Sequence, residues 1–391
     1  MKLALPPPGG RPDLLIIAGE HSGDAHAAAM VRAARRAEPA LRVCAFGGPE
    51  LAAAGAQLLC DLTSASVVGV VEVLKNLPYF SALGKAALQW IREYQPRAVC
   101  FVDYPGFNLR IAEALRRQGL SRKGGGTIRT LYYISPQIWA WKGGRRFSMA
   151  RDLDAMAVIF PFEVGSYADT PLPVEFVGHP FVTEADGDQG SPAHYAADGP
   201  ILLLPGSRRQ AVRRIFPALL AGHRAGPKRP AVVLYPSAAV KEVLEAELAR
   251  TEHADVSLQP VAAARVGAAA VLTSSGTMSM QCALAGIPGA IVYRANPGTY
   301  WLGRTLLDVK YLGIANLLLS QPMYPEYIQH KAAPGALAAE IAECLESPAR
   351  RQRARTQAER LRTVLAVPPA ATPAAWLLRQ LNSSGAAAGL I

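Results

Sequence analysis

The chain has 391 residues, half of them hydrophobic and 18% charged, with a net charge of +11. That balance excludes a disordered chain, and the length exceeds what one hydrophobic core usually organises, so two domains are expected. The positive charge calls for an acidic partner such as an anionic lipid or a phosphorylated metabolite; nucleic acid is set aside because no binding signature for it is present. No apolar run is long enough to span a bilayer, and MKLALPPPGG has too short an apolar stretch for a signal peptide. Cys44, Cys60, Cys100, Cys282 and Cys344 are scattered without CxxC or zinc spacing, the pattern of a reducing cytoplasm with no metal site.

Residues 13–18 (DLLIIA) read as a buried strand ending in Gly19-Glu20-His21-Ser22-Gly23-Asp24, with a helix expected over 25–36. This is the opening of an α/β unit, its turn at the strand's carboxyl end where ligands sit, although the glycine spacing is not the dinucleotide fingerprint. Residues 41–46 form a second strand before Gly47-Gly48. In 67–80 nearly every position is apolar, Glu72 and Lys75 are the only charges, and Pro78 marks a break. The segment is either a fully buried helix or an exposed one that touches lipid through Val70, Val73 and Leu74.

Residues 98–102 (AVCFV) deliver Asp103-Tyr104-Pro105-Gly106-Phe107-Asn108. A carboxylate at the end of a central strand suits general-base work, and an Asp in a Pro-Gly turn also suits the turn itself. Residues 130–134 lead into Ser135–Lys142, where Trp139 and Trp141 beside Arg145 and Arg146 form either a sugar platform or a packed turn. Strands at 155–160 and 174–177 complete the half. Residues 183–199 are polar and read as a linker.

The rhythm then restarts. Strands at 201–204 and 231–235 run into Pro205-Gly206-Ser207-Arg208 and Pro236-Ser237. The strand at 270–273 breaks into Ser274-Ser275-Gly276-Thr277, a helix follows from 278 to 284, and 289–293 is another strand. A hydroxyl- and glycine-rich loop feeding a helix start suits a phosphate, and Ser275 or Thr277 also suits a plain N-cap. Helices at 333–345 and 349–365, the latter an arginine-rich solvated face, precede a last helix at 373–381. The alternation predicts an α/β protein of two doubly wound parallel sheets.

GEHSGD (19–24), SPQIWAW (135–141), FPFE (160–163), VGHP (177–180), LLPGSR (203–208), SSGT (274–277) and YR (293–294) with ANLL (315–318) follow in that order. Together they resemble the lipid-A-disaccharide synthase family over residues 13–330. The resemblance implies two Rossmann-like domains of the GT-B type with a cleft between them. Residues 1–182 would bind acceptor and lipid, 183–199 link, 200–366 bind the UDP-sugar, and 367–391 carry a helix returning to the first domain. It implies a cofactor-free glycosyltransferase of Gram-negative lipopolysaccharide assembly, cytoplasmic and peripheral to the inner membrane, with a homo-oligomer left open. The reaction would carry 2,3-diacylglucosamine from UDP-2,3-diacylglucosamine to 2,3-diacylglucosamine 1-phosphate, giving UDP and a β-1,6 disaccharide with inversion.

Inversion is a single displacement, for which one general base suffices. By the same resemblance Asp103 is that base and Arg208 holds the donor diphosphate. Ser275, Gly276 and Thr277 assist the leaving group, Gln281 and Asn316 contact the donor, and Glu20 and Ser22 face the cleft. Two positions depart from the family pattern: Gly106 stands where a second Asp is common, and Gln281 where a Glu is. The alternatives are another UDP-sugar enzyme of the same fold or a non-catalytic lipid-binding paralogue.

Overall fold

Uninterrupted apolar runs set the architecture, because a strand covered by helices on both faces has no solvent side to keep polar. The computed structural model describes residues 4–63, 70–139, 142–183, 191–250, 255–295 and 310–383, with the backbone alone for 70–77 and 183. Two units divide the chain, Met1–Pro180 with Val367–Ile391, and Phe181–Ala366.

The first unit holds β1 (Leu14–Ala18), β2 (Val43–Gly47), β3 (Gln57–Asp61), β4 (Ala98–Val102), β5 (Arg129–Tyr133), β6 (Ala155–Val158) and β7 (Val174–Phe176). They form one sheet in the order β3-β2-β1-β4-β5-β6-β7, and every neighbouring pair is parallel. Winding reverses between β1 and β4, where Ala18 stands beside Val102. In such sheets the crevice for a ligand lies at the carboxyl ends, at this reversal. Leu15, Ile17, Phe46, Phe101, Ile111, Leu115 and Tyr132 belong to the core beneath it.

Two local expectations are corrected. Pro78 does not end its helix, which runs from Val70 to Tyr94. An interior proline costs ~3 kcal/mol, but Leu83, Ala87, Trp90 and Ile91 recur at helical spacing and are buried, and that packing overrides it. Residues 67–69 and the side chains of Val70, Val73 and Leu74 lie outside the described residues. The Pro-Gly turn after Asp103 is instead the start of a helix, Pro105–Arg117, with proline at its first turn where no N–H is required.

The second unit holds β8 (Ala193–Tyr195), β9 (Ile201–Leu204), β10 (Ala231–Tyr235), β11 (Val256–Pro260), β12 (Val266–Ala268), β13 (Ala270–Thr273), β14 (Gly289–Tyr293) and β15 (Glu326–Ile328). Its main sheet has the order β11-β10-β9-β13-β14-β15, and β8 pairs separately with β12. The stretch read as a linker therefore carries a strand, and its residues 184–190 lie outside the described ones. Winding reverses between β9 and β13, where Leu204 stands beside Thr273.

The arginine-rich helix Pro348–Leu365 is not simply a solvated face. Arg350 is 2% exposed, pairs with Glu340 at 3.1 Å and donates to the Gly289 carbonyl at 2.7 Å. Arg355 lies over the Tyr195 ring, so part of the charge is spent inside the unit. The last helix, Pro373–Asn382, packs on the first unit: Arg97 and Arg129 donate to the Leu381 and Gln380 carbonyls at 3.0 and 2.8 Å, and Trp376 is fully buried. Among the described residues no helix is long and apolar enough to cross a membrane.

Candidate active site

The carboxyl edge of the first sheet collects the sequence motifs one by one. β1 ends at Ala18, Gly19 follows, and Glu20, in extended backbone, precedes the helix His21–Ala37 with Ser22 in its first turn. Both Glu20 and Ser22 are half-buried. Asp24, the last residue of the same motif, is 1% exposed and accepts from the Gly48, Glu50 and Leu51 amides at 2.7, 3.0 and 3.4 Å. It caps the short helix Pro49–Ala53, a structural task. A side chain at Gly48 would meet Asp24 and Thr63 at 2.6–2.7 Å, so this approach requires glycine.

β4 ends in two successive left-handed residues, Asp103 (φ 45°) and Tyr104 (φ 50°). Neither is glycine, and such conformations cost on the order of 1–3 kcal/mol each. The surroundings hold them in place. The Asp103 amide donates to the Tyr133 carbonyl at 3.1 Å. Its carbonyl accepts from the Tyr132 hydroxyl and the Asn108 amide, both at 2.7 Å. The Asn108 amide also reaches the Ile17 and Val102 carbonyls at 3.2 and 3.3 Å, which ties the ends of β1 and β4 together. Tyr132 and Asn108 are both fully buried, and Asp103 is half-buried at the sheet edge. The Tyr104 ring lies against Gly19, where a Cβ would come within 2.2 Å of it.

Further along the edge, Ser135 and Tyr167 share a hydrogen bond of 2.7 Å, and Trp139 follows, half-buried. Residues 140 and 141, with the second tryptophan of the motif, lie outside the described residues. Beyond β6, Glu163 is 1% exposed and accepts from the Phe160 amide at 3.1 Å and the Trp139 indole at 3.3 Å. Beyond β7, His179 lies 5.1 Å from the Phe160 ring. Burial pushes Glu163 up to about 8, and the charge of Asp103 adds to the rise against the donors around it. Burial pushes His26 down to about 4 and His179 down to about 3, with His26 adding to the fall of His179.

The second sheet repeats the design. β9 runs into Pro205-Gly206-Ser207-Arg208, and β13 into Ser274-Ser275-Gly276-Thr277. The Ser274 amide donates to the Leu204 carbonyl at 2.8 Å, and a Cβ on Gly206 (φ 113°) would lie 3.3 Å from the Ser274 hydroxyl, so the two loops touch. Arg208 is exposed and precedes the helix Arg209–Ala225, whose first turn has no acidic residue. The positive end of a helix dipole with arginine beside it favours an anion. No side chain caps the helix Thr277–Leu284, where Gly276 and Thr277 are exposed and Ser275 half-buried. Gln281, also half-buried, is four residues after Thr277 and so on the same helix face.

Asn316 is placed differently. It is fully buried in the helix Ile314–Leu319, donates to the Tyr324 carbonyl and Glu326 at 2.7 and 2.9 Å, and accepts from the Tyr324 amide at 2.9 Å. Glu326 in turn accepts from the Leu312 and Gly313 amides at 3.0 and 2.9 Å. A donor contact by Asn316 requires its amide to leave these partners. Trp139 was read from the sequence as one of two alternatives, a sugar platform or a packed turn; the residues that sequence reasoning did not single out are Asn108, Tyr132, Glu163 and His179. All but Tyr132 lie inside quoted motif stretches, which was the available signal.

The shifted groups fix the sign of the pH response. His26 and His179 are depressed, so their stabilisation is complete above about 6.5 and is lost as pH falls toward their folded values. Glu163 is raised, so its contribution is complete below 4.5 and is lost as pH rises through about 8. Between pH 6.5 and 8 wild-type stability should fall by up to ~1.4 kcal/mol per pH unit, and Glu163→Gln should flatten that slope. Denaturant titrations across this range check it; a slope that survives in Glu163→Gln belongs to another group.

The chain matches the family model for lipid-A-disaccharide synthetase over residues 14–368. It is 35% identical over 353 residues to the lipid-A-disaccharide synthase of Geobacter sulfurreducens, covering 88% of this chain and 90% of that one. With the enzyme of the same name from Nitrosococcus oceani it shares 35% over 352 residues, 87% and 89% of the two chains. The solved calicheamicin glycosyltransferase CalG4 superimposes with a TM-score of 0.54 at 15% identity, covering 97% of this chain and 100% of that one. That likeness concerns the fold alone, two Rossmann-like domains of the GT-B type. With a family match spanning nearly the whole chain and the motif residues gathered at the two sheet edges, the chain belongs to the lipid-A-disaccharide synthase family, glycosyltransferases of lipid A biosynthesis.

Proposed function

We propose that the chain transfers 2,3-diacylglucosamine from UDP-2,3-diacylglucosamine to 2,3-diacylglucosamine 1-phosphate, with Asp103 as general base. The observation that carries this reading is the Asp103 turn itself. A strained pair of residues at a sheet's reversal, held by two buried donors, is where a fold invests stability in a reactive group. The Asp103 carboxylate takes the proton of the acceptor's 6-hydroxyl as that oxygen bonds to the donor's anomeric carbon. The bond from that carbon to the diphosphate breaks with inversion, and its electron pair leaves on UDP. Negative charge grows on the diphosphate, and donors aimed at it stabilise the transition state more than the ground state. Arg208 and the backbone of Ser275-Gly276-Thr277 at the helix start are assigned that task.

In this reading the first unit takes the acceptor and its lipid, with Glu20 and Ser22 beside the base, and the second takes the UDP-sugar. Gln281 serves the ribose: its carbonyl accepts from one hydroxyl while its amide donates to the other. Asn316 shapes the donor loop through Glu326, and touches the donor only if that loop rearranges. The net positive charge and the apolar positions Val70, Val73 and Leu74 support a peripheral seat on the inner membrane, on its cytoplasmic side.

Three measurements test these assignments. Asp103→Asn keeps the shape and removes the basic site, so turnover should fall by about two to four orders of magnitude while UDP affinity stays unchanged. Near-normal turnover overturns the base assignment. Calorimetry should find UDP bound several-fold more tightly by Gln281→Glu, about 1 kcal/mol for a charge-assisted contact, and more weakly by Gln281→Ala. Equal affinities for all three proteins remove Gln281 from the nucleotide site. Replacing Val70, Val73 and Leu74 together by Ser should release the protein from anionic liposomes with its thermal midpoint nearly unchanged; a collapsed midpoint makes the segment ordinary core.

A further inference from the structure

The transfer chemistry leaves the buried carboxyl of Glu163 in the first unit unused. Glu163 sits in the turn Pro161–Glu163, and donors surround it: the Trp139 indole on Oε1, the Phe160 amide on Oε2, and the Ile159 amide. One oxygen is enough to cap that turn at Phe160. The other reaches an indole 24 residues earlier in the chain, in a separate segment of the same sheet edge. Trp139 is not packed away as a core residue is. It is half-buried, its ring meets Phe162 edge-on at 5.2 Å, and Phe162 is itself 41% exposed. Phe160 continues the aromatic row, 5.8 Å from Phe162 and 5.1 Å from His179. The row lies at the carboxyl edge that holds Asp103, close enough for Glu163 to feel that residue's charge.

We propose that Glu163 is a positioning residue which, by holding the indole N–H, fixes Trp139 as the platform against which the acceptor sugar lies beside Asp103. This rests on the reading of the chain as a transferase with a glucosamine acceptor. A pyranose presents an apolar C–H face, and a ring with one side packed and the other wet is the surface that receives it. Such a platform works only if the ring cannot rotate, and the buried carboxyl supplies the restraint. Glutamine is a poor substitute, because donors meet both carboxyl oxygens and an amide nitrogen in place of one of them cannot accept.

The test is initial-rate kinetics with UDP-2,3-diacylglucosamine and 2,3-diacylglucosamine 1-phosphate, together with UDP calorimetry, on full-length wild type, Trp139→Phe, Trp139→Ala, Glu163→Gln and the Trp139→Phe/Glu163→Gln double variant. Trp139→Ala should raise the acceptor KM by about tenfold, the size of one lost aromatic contact, with UDP affinity unchanged. Glu163→Gln should raise the acceptor KM in the wild-type background and add nothing in the Trp139→Phe background, because it acts through the indole. An acceptor KM within about twofold of wild type in Trp139→Ala overturns the platform. An effect of Glu163→Gln that persists in the Trp139→Phe background overturns the positioning role. If Glu163→Gln does not fold, the two Trp139 variants still decide the platform. Absence of transfer by the wild type overturns the function itself, whereas transfer with an indifferent Trp139 overturns this inference alone.

Discussion

Two hydrogen bonds to one carbonyl oxygen hold the first unit's functional edge in place. The Asp103 carbonyl receives both the Tyr132 hydroxyl and the Asn108 amide, and through them a left-handed pair of residues is kept at the end of β4. A buried hydrogen bond is worth ~1 kcal/mol when made and costs ~1–3 kcal/mol when one partner is left alone. Two such bonds are therefore of the order needed to offset the strain of the turn. Because Asn108 also grips the Ile17 and Val102 carbonyls, the same amide fixes where β1 and β4 part. Asn108 thus acts both on the parting of the two strands and, with Tyr132, on the turn that carries Asp103.

The second unit solves its problem with charge and backbone. Its two loops at the β9–β13 reversal touch through Gly206 and Ser274, and neither following helix begins with an acidic residue. Helix starts that carry arginine or no cap are poor local choices, and poor local choices gather at functional sites. The first unit stores its strain in backbone dihedrals, and the second gathers positive potential at its helix starts.

The central strands were legible because complete burial leaves a signal that does not depend on context: Ala98–Val102, Ile201–Leu204, Ala231–Tyr235 and Ala270–Thr273 occupy the expected positions. Of the edge strands of the two main sheets, β7 (Val174–Phe176) was expected at 174–177, and β3, β11 and β15 were not. Gln57–Asp61 and Val256–Pro260 mix half-exposed and polar residues, and only their neighbours make them strands. Pro105-Gly106 was ambiguous in principle, since proline opens helices as readily as turns, and the burial of Phe107, Ile111 and Leu115 decided it. Within the candidate site, the sequence could bring motifs to strand ends but not join them. Tyr132 reaches Asp103 across 29 positions and Trp139 reaches Glu163 across 24, and no local pattern encodes such a meeting. The burial of Asn316 was likewise invisible, because its partners Tyr324 and Glu326 lie beyond its own helix.

The return of the last helix to the first unit has a bearing on how the protein is made. Arg97 meets the Leu381 carbonyl across 284 positions, so the second unit is an insertion within the first. On the ribosome, the inserted unit has its whole sequence available while the first still lacks its closing helix and the Trp376 side chain. Chains tend to fold domain by domain as they emerge, and long-range closure is slow. The unit that carries Asp103 is therefore begun before the second and completed after it, and until the last helix emerges its flank beside Arg97 and Arg129 stays open to chaperones.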